Sequence, residues 1–584
     1  MPELTHIIQR FLTPQHLVSA ASICQAWHRA WMPILWRDLC FMRPRTTPLI
    51  YDCYFLSAEC LLRYGHHART LHASLITTPE LLRLAQHCSH LHTVTLQNAV
   101  FSLKSLRQFL CATPGLRTFD LEWDWNLNDG DAVDHETPAG TGTNTDADTE
   151  DKNSDTDRDS TETCNWIKTI ECSASPHLES LVLRPQLSMK VLATDLRSLS
   201  RTLTCLRTVQ LYEVDVEERI LHRSKRRSGK ERRPRQREDG TEQDSAATQQ
   251  TLEVSSGSQT NAVSSSPSSS TGTTLSEAES SASSLEQQQL VNDSCRLEFL
   301  SINSSTTTTL AQLLQGCTHL RVLHLHRCEY LRDAALEAIA QYAPSVSDIA
   351  LSTCRQLSAP GLQSFLRTKT RTRLEHVHFQ DLDDAVDDET LTILATSHGE
   401  SLRKLVCYYC AHFTDRGVQA LLSAATGLKS LTLQSHRMTL ALFFNPWACA
   451  PTLEYLELDG RFRRPKMTSS SGRAPRKEVV PFVTLQNRIR TLTQLKDLRI
   501  WAGGFGNDVL QGFGPDVKIE TLGLYWMGTE TTFSMEWATV RTGLPYLKRL
   551  YYCELWERKG DLRALLAPLN VEVYPRRRPV YGVT

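Results

Sequence analysis

The stretch LRVLHLHRCEYLRDAALEAIAQYAPSVSDIALSTC, residues 320–354, decides the fold. It opens with the pattern LxxLxL at Leu320, an alternation that predicts a short strand with one buried face. Apolar residues at helical spacing follow in LRDAALEAIAQYA, and Pro344 ends the predicted helix. The strand pattern returns as VxxIxL at Val346, 26 residues after the first. A unit of one strand and one helix cannot bury its own apolar faces, so the stretch predicts a solenoid of stacked copies.

The same strand pattern recurs along most of the chain, usually at intervals of 23 to 28 residues. Three longer intervals, of 62, 91 and 42 residues, contain low-complexity segments that we predict to be disordered insertions at about 126–163, 222–284 and 462–478. A period kept over residues 68–574 predicts leucine-rich repeats, an α/β solenoid with a curved parallel sheet inside and helices outside. The first apolar positions of the predicted strands are Ala68, Leu91, Leu116, Leu178, Leu206, Leu297, Leu320, Val346, Leu374, Leu402, Leu428, Leu453, Leu495, Ile519 and Leu547.

Two of the insertions carry segregated charge, although the 584-residue chain is nearly neutral, with 64 basic and 65 acidic residues. Between residues 129 and 162 there are twelve acidic residues and two basic ones, and between 223 and 238 there are nine basic and two acidic. The basic run RSKRRSGKERRPRQR is typical of a nuclear localisation signal or of phosphate contacts. It lacks aromatic residues for base stacking, so we expect no specific binding of nucleic acid. Each insertion follows a strand and precedes a helix-compatible segment, which places all three on the edge where strands run into helices.

The first 41 residues have a different pattern, with three short helices that carry many large apolar side chains. A small helical unit cannot bury so many apolar residues, and the surplus predicts a surface for a partner. Residues 42–67 are predicted to be a linker and capping helix, and residues 575–584 a tail. As an alternative, the N-terminal helices only cap the open end of the solenoid, as terminal repeats require.

This N-terminal stretch resembles the F-box in the order and spacing of its landmarks. The matching residues are Pro2-Glu3-Leu4, Ile8, Phe11-Leu12, Pro14, Leu17, Ile23-Cys24-Gln25-Ala26-Trp27-His28 and Ile34-Leu35-Trp36. The pieces CEYLRDAALEAIA and CAHFTDRGVQALL, with Asp333 and Asp415 in matching places, are similar to the cysteine-containing repeats often found behind an F-box. Together these features resemble the F-box/leucine-rich-repeat family over nearly all of the chain that we predict to be ordered.

The resemblance implies the substrate-recognition subunit of a Skp-cullin-F-box ubiquitin ligase, a subunit that is not an enzyme and needs no cofactor. The F-box would dock a Skp-type adaptor, and through it a cullin-RING ligase, while the repeats would bind a target protein. The alternative is a ligase-independent scaffold of repeats that binds partner proteins. The adaptor-binding residues that the resemblance implies are Pro2, Leu4, Ile8, Leu12, Leu17, Trp27, Leu35 and Trp36.

In a solenoid of parallel strands, the side chains two, four and six residues after each first apolar position form the concave face, which is the default binding surface. The early repeats hold mostly small or polar residues at these positions, whereas the later repeats are richer in Tyr, Trp, Arg and His. Tyr, Trp and Arg dominate the binding energy of protein interfaces, so we predict the target site in the C-terminal half. The predicted target-binding residues are His324, His376, Tyr408, Tyr455, Arg499, Trp501, Tyr525, Arg549 and Tyr551.

Metal binding and catalysis find little support in the sequence. The strand with His324 and His326 and the strand with His376 and His378 are separated by one intervening strand. The two pairs of histidines are therefore two strand spacings, roughly 10 Å, apart, which is too far for one metal ion. The glycine-rich stretch of residues 501–514, WAGGFGNDVLQGFG, lacks the glycine spacing of a dinucleotide loop and the Gly-Lys-Ser/Thr ending of a phosphate loop. No catalytic motif stands out, and we expect no enzyme activity.

The cysteine content and the N-terminal sequence favour a reducing compartment of the cell. The chain has 17 cysteines, an odd number, and no recognisable signal peptide, which favours reduced thiols over disulfides. Cys407-x-x-Cys410 has the spacing of a redox or metal pair, but Cys410 follows Leu402 by eight residues, as Cys328 follows Leu320. We therefore predict a structural role for it, as a small buried apolar residue. We expect a protein of the cytoplasm, the nucleus or both, without a membrane partner.

Overall fold

The computed structural model describes most of the predicted repeats. The described residues are 19, 22–41, 58–123, 158–185, 189–217, 295–369, 372–382, 384–460, 482–501, 513–514, 516–525, 544–553 and 571–576. The chain divides into one unit of residues 1–219 and 293–584 and another of residues 220–292. The second unit and nearly all of the predicted insertions lie outside the described residues, and every described element belongs to the first unit.

The described residues of this unit form one parallel sheet of 18 strands. The strands are β1 (Asp38–Phe41), β2 (Thr70–Ser74), β3 (Thr93–Ala99), β4 (Thr118–Trp123), β5 (Ser180–Pro185), β6 (Met189–Leu192), β7 (Thr208–Glu217), β8 (Phe299–Ser305), β9 (Val322–His326), β10 (Asp348–Ser352), β11 (His376–Gln380), β12 (Lys404–Tyr408), β13 (Ser430–Ser435), β14 (Tyr455–Gly460), β15 (Asp497–Trp501), β16 (Thr521–Tyr525), β17 (Arg549–Cys553) and β18 (Glu572–Arg576). Consecutive strands are neighbours, except that the first half of β7 pairs with β5 and its second half with β6.

Helices follow most of these strands and pack on one face of the sheet. The α-helices are α1 (Gln25–Leu35), α2 (Ala58–Tyr64), α3 (Thr78–His87), α4 (Leu103–Ala112), α5 (Arg158–Ser173), α6 (Ala193–Thr202), α7 (Thr307–Leu314), α8 (Asp333–Tyr342), α9 (Ala359–Thr368), α10 (Asp388–His398), α11 (Asp415–Ala424) and α12 (Phe482–Thr491). Short 3₁₀ helices cover Gly65–His67 and Leu440–Phe443. The apolar residues of strands and helices form one continuous core, so each repeat is stabilised by its neighbours.

The predicted solenoid of leucine-rich repeats is confirmed. Each of the 15 predicted first apolar positions is buried, and a strand begins two residues after every one of them. Burial explains the repeated sequence pattern, because the first apolar side chain of each repeat and two apolar side chains of its strand all enter the core.

Three strands lie outside the predicted pattern. Residues 38–41, predicted to belong to the helical module, form β1, because the Arg37 carbonyl accepts hydrogen bonds from the N–H groups of Arg69 and Thr70. β6 is an extra strand beside β7, and β18 extends to residue 576, past the predicted end at 574. Helix α5 begins at residue 158, inside the insertion predicted for 126–163, so that insertion ends earlier than predicted.

The repeated cysteines have the structural role predicted for them. The thiol of Cys410 donates a hydrogen bond to the carbonyl of Tyr408 at 3.4 Å, and Cys328 donates to the carbonyl of His326 at 3.3 Å. These bonds satisfy carbonyls at the ends of strands, where the chain turns away from the sheet. Burial raises the pKa of Cys407 well above its ordinary value, which disfavours the thiolate that redox and metal chemistry need.

A ladder of aspartates links the helix N-termini of neighbouring repeats. Asp388, in the first turn of α10, accepts hydrogen bonds from the backbone N–H and the hydroxyl of Thr414, both at 2.7 Å, and Thr414 caps α11. Asp333 bonds Ser358 in the same way, and Asp415 bonds Thr439. A carboxylate at a helix N-terminus is favourable because of the helix dipole. The matching aspartates at 333 and 415 in the sequence are thus part of the bonding between repeats.

We expect Asp388→Ala to lower the free energy of unfolding by about 2–4 kcal/mol, because the N–H groups of Thr414 and Gly417 and the Thr414 hydroxyl lose a charged acceptor. Chemical denaturation followed by circular dichroism measures this loss. Asp388→Asn is the control, since its amide oxygen still accepts from both N–H groups, and it should lose about half as much. Equal losses for the two variants would contradict the ladder.

A residue with left-handed backbone occurs at the same position of many repeats, either just after the strand or within it. In eight repeats the residue seven positions after the first apolar residue has φ between 47° and 58°. These residues are Leu75, Asn98, Glu213, Ser304, Arg327, Thr353, Asp381 and Tyr409. Only Asn98 and Asp381 are of the types that tolerate this region well. The solenoid therefore imposes the turn on residues that do not favour it.

We expect Thr353→Asn to raise the free energy of unfolding by about 1 kcal/mol, because a β-branched residue at φ 55° is strained and asparagine is not. The reciprocal change Asn98→Thr should lower it by a similar amount. Urea titration of both variants measures the effect. A loss of stability in Thr353→Asn would show that the threonine side chain contributes more than its backbone strain costs.

Candidate protein-interaction surface

The sheet face opposite the helices is here called the open face. It carries the side chains two, four and six residues after each first apolar position, the positions predicted to be concave. Strand pairing aligns these positions across neighbouring strands; for example, Glu457 on β14 is in register with Arg499 on β15, and Arg499 with Gly523 on β16. Side chains from repeats far apart in the sequence can therefore contact one another.

A histidine patch occupies the open face of β9, β10 and β11. Asp348 on the middle strand lies between two predicted site residues, with one carboxylate oxygen 2.9 Å from His376 Nδ1 and the other 3.5 Å from His324 Nε2. Burial alone would raise the pKa of Asp348, but hydrogen bonds from both histidines outweigh it and hold that pKa below its ordinary value. The carboxylate thus orients both rings.

The patch also includes His326 and His378, which face the same side. Burial is the main cause that lowers the pKa of each to about 4, so both rings are neutral near pH 7. His378 Nε2 is buried and has no hydrogen-bond partner among the described residues. Ring contacts continue the patch on both sides, from His324 to Phe299 at 5.1 Å and from His378 to Tyr408 at 6.4 Å between centroids.

A second group, the tyrosine cluster, surrounds Glu457 on β14. The Glu457 side chain is 5% exposed and accepts three hydrogen bonds. The hydroxyls of Tyr408 and Tyr455 donate to one carboxylate oxygen at 3.1 and 2.5 Å, and Trp501 Nε1 donates to the other at 3.3 Å. Burial, followed by the nearby carboxylate, raises the pKa of Tyr455, so its hydroxyl keeps its proton. One buried acid therefore fixes three predicted site residues.

Arg499 extends the tyrosine cluster towards the C-terminus. Its guanidinium makes two hydrogen bonds to Asp497, at 3.0 and 2.9 Å. It also lies 5.1 Å from the centroid of the Tyr455 ring and 5.5 Å from that of Tyr551, distances typical of cation–π contacts. Tyr551 in turn stacks on Tyr574, at 5.3 Å between centroids. These contacts connect the open-face side chains of β14, β15, β17 and β18 into one aromatic surface.

Two further predicted residues lie on the same face. Arg549 on β17 is exposed, and Tyr525 is in register with Trp501, although its side chain lies outside the described residues. Trp501 was predicted as a contact for a target, but it is 9% exposed and supports the cluster from within. The sequence prediction did not select Asp348 or Glu457. Both acids occupy open-face positions, and nearby open-face positions hold His or Tyr. This arrangement is the signal in the sequence that could have identified them.

The early repeats also contain a cluster on the open face, where mostly small or polar residues were predicted. Arg184 on β5 makes two hydrogen bonds to Asp120 on β4, at 2.7 and 2.8 Å. Its guanidinium also lies 5.0 Å from the centroid of the Tyr212 ring on β7. Burial raises the pKa of Asp120 more than the arginine lowers it. The charges of this cluster are balanced internally.

The adaptor-binding residues implied by the F-box resemblance are only partly described, since Pro2, Leu4, Ile8, Leu12 and Leu17 lie outside the described residues. Trp27 on α1 is 44% exposed, and Ile23 just before that helix is 68% exposed. Leu35 and Trp36 are half-buried, and Trp36 packs against Tyr64 with 5.2 Å between ring centroids. Trp36 thus attaches the module to the solenoid, while Trp27 faces outward.

Neither a metal cluster nor a membrane-spanning helix is found in the described part of the chain. Among the residues that the structure describes, no group of three or more His, Cys, Asp or Glu side chains could hold a metal ion. None of the helices in those same segments is both long and apolar enough to span a bilayer.

Comparisons with known proteins show likeness in structure only. No protein-family model matches the sequence, and no curated protein matches it either. A solved structure described as the complex of Rad7 and Elc1 in yeast is similar over 83% of this chain and 82% of that one, with 12% identity and a TM-score of 0.31. A TLR13–ssRNA13 complex is similar over 85% of this chain but only 55% of that one, with 12% identity and a TM-score of 0.34. These likenesses are weak, and the assignment of the fold rests on the repeats of the chain itself.

Proposed function

We propose that this protein is a non-catalytic binding subunit whose open face holds a target protein. The observation that carries the proposal is the tyrosine cluster, in which Tyr, Trp and Arg side chains are fixed by Glu457 and by stacking. Such side chains dominate the energy of protein interfaces, and fixing them in advance reduces the entropy lost on binding.

We further propose that the N-terminal module docks a Skp-type adaptor and that the target is thereby brought to a cullin-RING ubiquitin ligase in the cytoplasm or nucleus. The resemblance to the F-box and the outward-facing Trp27 and Ile23 support this step. The contribution of the subunit would be effective concentration, since it would hold a target lysine near an enzyme bound elsewhere in the assembly. It would use no cofactor and carry out no chemistry itself.

Co-purification with a Skp-type adaptor tests the ligase proposal. The intact chain should capture the adaptor, whereas Trp27→Ala and a chain without residues 1–18 should capture much less. Tyr330→Ala is a matched control, because Tyr330 is an aromatic residue that is 66% exposed but lies in the repeats. Equal capture by all four proteins would favour the alternative, a scaffold of repeats that works without a ligase.

Target binding can be tested separately from adaptor binding. Proteins retained by the intact chain should be lost when Arg549 and Tyr551, on the open face of β17, are both replaced by alanine. Lys548→Ala is the control, because Lys548 is exposed on the same repeat but pairs with Glu520 at the strand edge. If both variants retain the same proteins, the binding site lies elsewhere on the molecule.

A further inference from the structure

The edge of the sheet where strands begin carries a row of mostly charged residues, with Ser347 as an uncharged member. Each member lies directly before the first residue of its strand, and its carbonyl accepts hydrogen bonds from the next member and the residue after it. In the later repeats acids and bases alternate along this row. Lys496 pairs with Glu454 at 3.1 Å, and Lys548 with Glu520 at 3.0 Å. The charge of the row is therefore balanced there.

The first four members of the row are all basic residue types. They are Arg37, Arg69, His92 and Arg117, here called the basic row, and their backbones are bonded in sequence at 2.7 to 2.8 Å. Arg37, His92 and Arg117 are exposed. Three more histidines lie close by in the chain, at positions 66, 67 and 90. Adjacent parallel strands lie about 4.8 Å apart, so the row is roughly 14 Å long.

The charges of the basic row are poorly neutralised. Arg69 donates to the carbonyls of His66 and Ala68, both at 3.1 Å, so its guanidinium is held in place by neutral acceptors. Among the described residues, no carboxylate lies within 4 Å of the side chain of Arg37 or Arg69. Arg117 has only a 3.8 Å contact with Glu179, and both of these side chains are about half exposed, where such a pair is weak.

The electrostatics of His92 report the same excess of positive charge. Burial and then the charges of Arg69 and Arg117 lower the pKa of His92 below its ordinary value. A bound anion would offset those charges and favour the protonated ring, which would add a further positive charge to the complex.

We infer that the basic row binds an acidic segment of a partner protein, lying across the first strands at the edge of the sheet. About 14 Å matches the length over which an extended peptide presents two or three carboxylates on one side. A nucleic acid fits less well, because duplex binders contact many phosphates and single-strand binders stack bases on aromatic rings. The row has no Phe, Tyr or Trp for base stacking, and its next position is the acid Glu179.

Fluorescence anisotropy with a labelled peptide of alternating Glu and Gly, eight residues long, tests the inference on the full chain. We expect binding in 50 mM salt that is lost in 500 mM salt, and no binding of the matched peptide with Gln in place of Glu. Arg37→Glu combined with Arg117→Glu should weaken binding at least tenfold. Lys496→Glu combined with Lys548→Glu is the matched control, with the same change of net charge in the balanced part of the row, and it should weaken binding much less.

Several results would overturn the inference. Absence of peptide binding by the intact chain in 50 mM salt would do so, as would equal weakening in the two double variants. The intact chain could instead bind an eight-nucleotide single strand, or vesicles with anionic lipid, more tightly than the peptide. If that binding is lost in Arg37→Glu/Arg117→Glu, the partner of the basic row is a nucleic acid or a membrane and not an acidic protein segment. If deletion of residues 129–157 strengthens peptide binding several-fold, the occupant is instead the acidic stretch of this chain.

Discussion

Replacement of Glu457 by alanine should lower the free energy of unfolding by about 3–5 kcal/mol, because one buried and two partly buried donors lose their acceptor at once. Tyr408, Tyr455 and Trp501 all donate to this carboxylate, and Trp501 is too buried for its N–H to reach water freely. The same change should weaken target binding strongly, because the aromatic surface of the cluster loses its fixed arrangement.

Glu457→Gln is the informative control for this prediction. Its amide oxygen can still accept from Trp501, and its NH₂ group can donate to the two tyrosine oxygens once their hydroxyls rotate. Only the assistance of the charge is lost, so we expect a cost of about 1 kcal/mol and nearly normal target binding. Urea unfolding and target capture measure both effects. If alanine costs no more than glutamine, the three hydrogen bonds do not hold the cluster together.

The strands could be predicted from the sequence because each repeat must place apolar residues at the same positions to fill the core. Ala68 and Leu547, the first and last of the predicted positions, are buried like those between them, and strands begin two residues later throughout. Cys410 could be assigned for the same reason, since its place in the repeat is that of Cys328. β1 was missed because it is short and lacks the full repeat: only Leu39 among its described side chains is buried.

The arrangement of the open face could be predicted only in part. The repeat phase identified Tyr408, Tyr455 and Trp501 as members of one surface. It did not show that they share Glu457, because Tyr408 lies 49 residues before that acid and Trp501 lies 44 residues after it. Their contact depends on the lengths and rotamers of side chains on separate strands. Trp501 therefore looked like an exposed contact residue in the sequence but is buried in the fold.

The histidine patch should make this protein sensitive to acid. His326 and His378 have a pKa of about 4 in the folded chain but about 6.5 when unfolded, so the unfolded chain binds more protons as the pH falls from 6.5 to 4. The contribution of these two neutral histidines to the free energy of unfolding is therefore fully present above pH 6.5 and is lost as the pH falls from 6.5 to 4. With allowance for partial exposure of both rings, each should account for about 2 kcal/mol. The buried His398, whose pKa is also lowered mainly by burial, acts in the same direction.

His378→Phe separates this patch from other acid-sensitive groups. Burial is the first cause of the lowered pKa of His378, and electrostatic interactions with His326, Lys404 and His324 lower it further. Phenylalanine keeps the size of the ring and removes the buried Nε2 that has no partner among the described residues, so stability at pH 7 should stay within about 1 kcal/mol of the unmodified chain. Urea titrations at pH 7 and pH 4.5 should show an acid-induced loss about 2 kcal/mol smaller in the variant. An equal loss in both proteins would mean that protonation of His378 does not oppose folding.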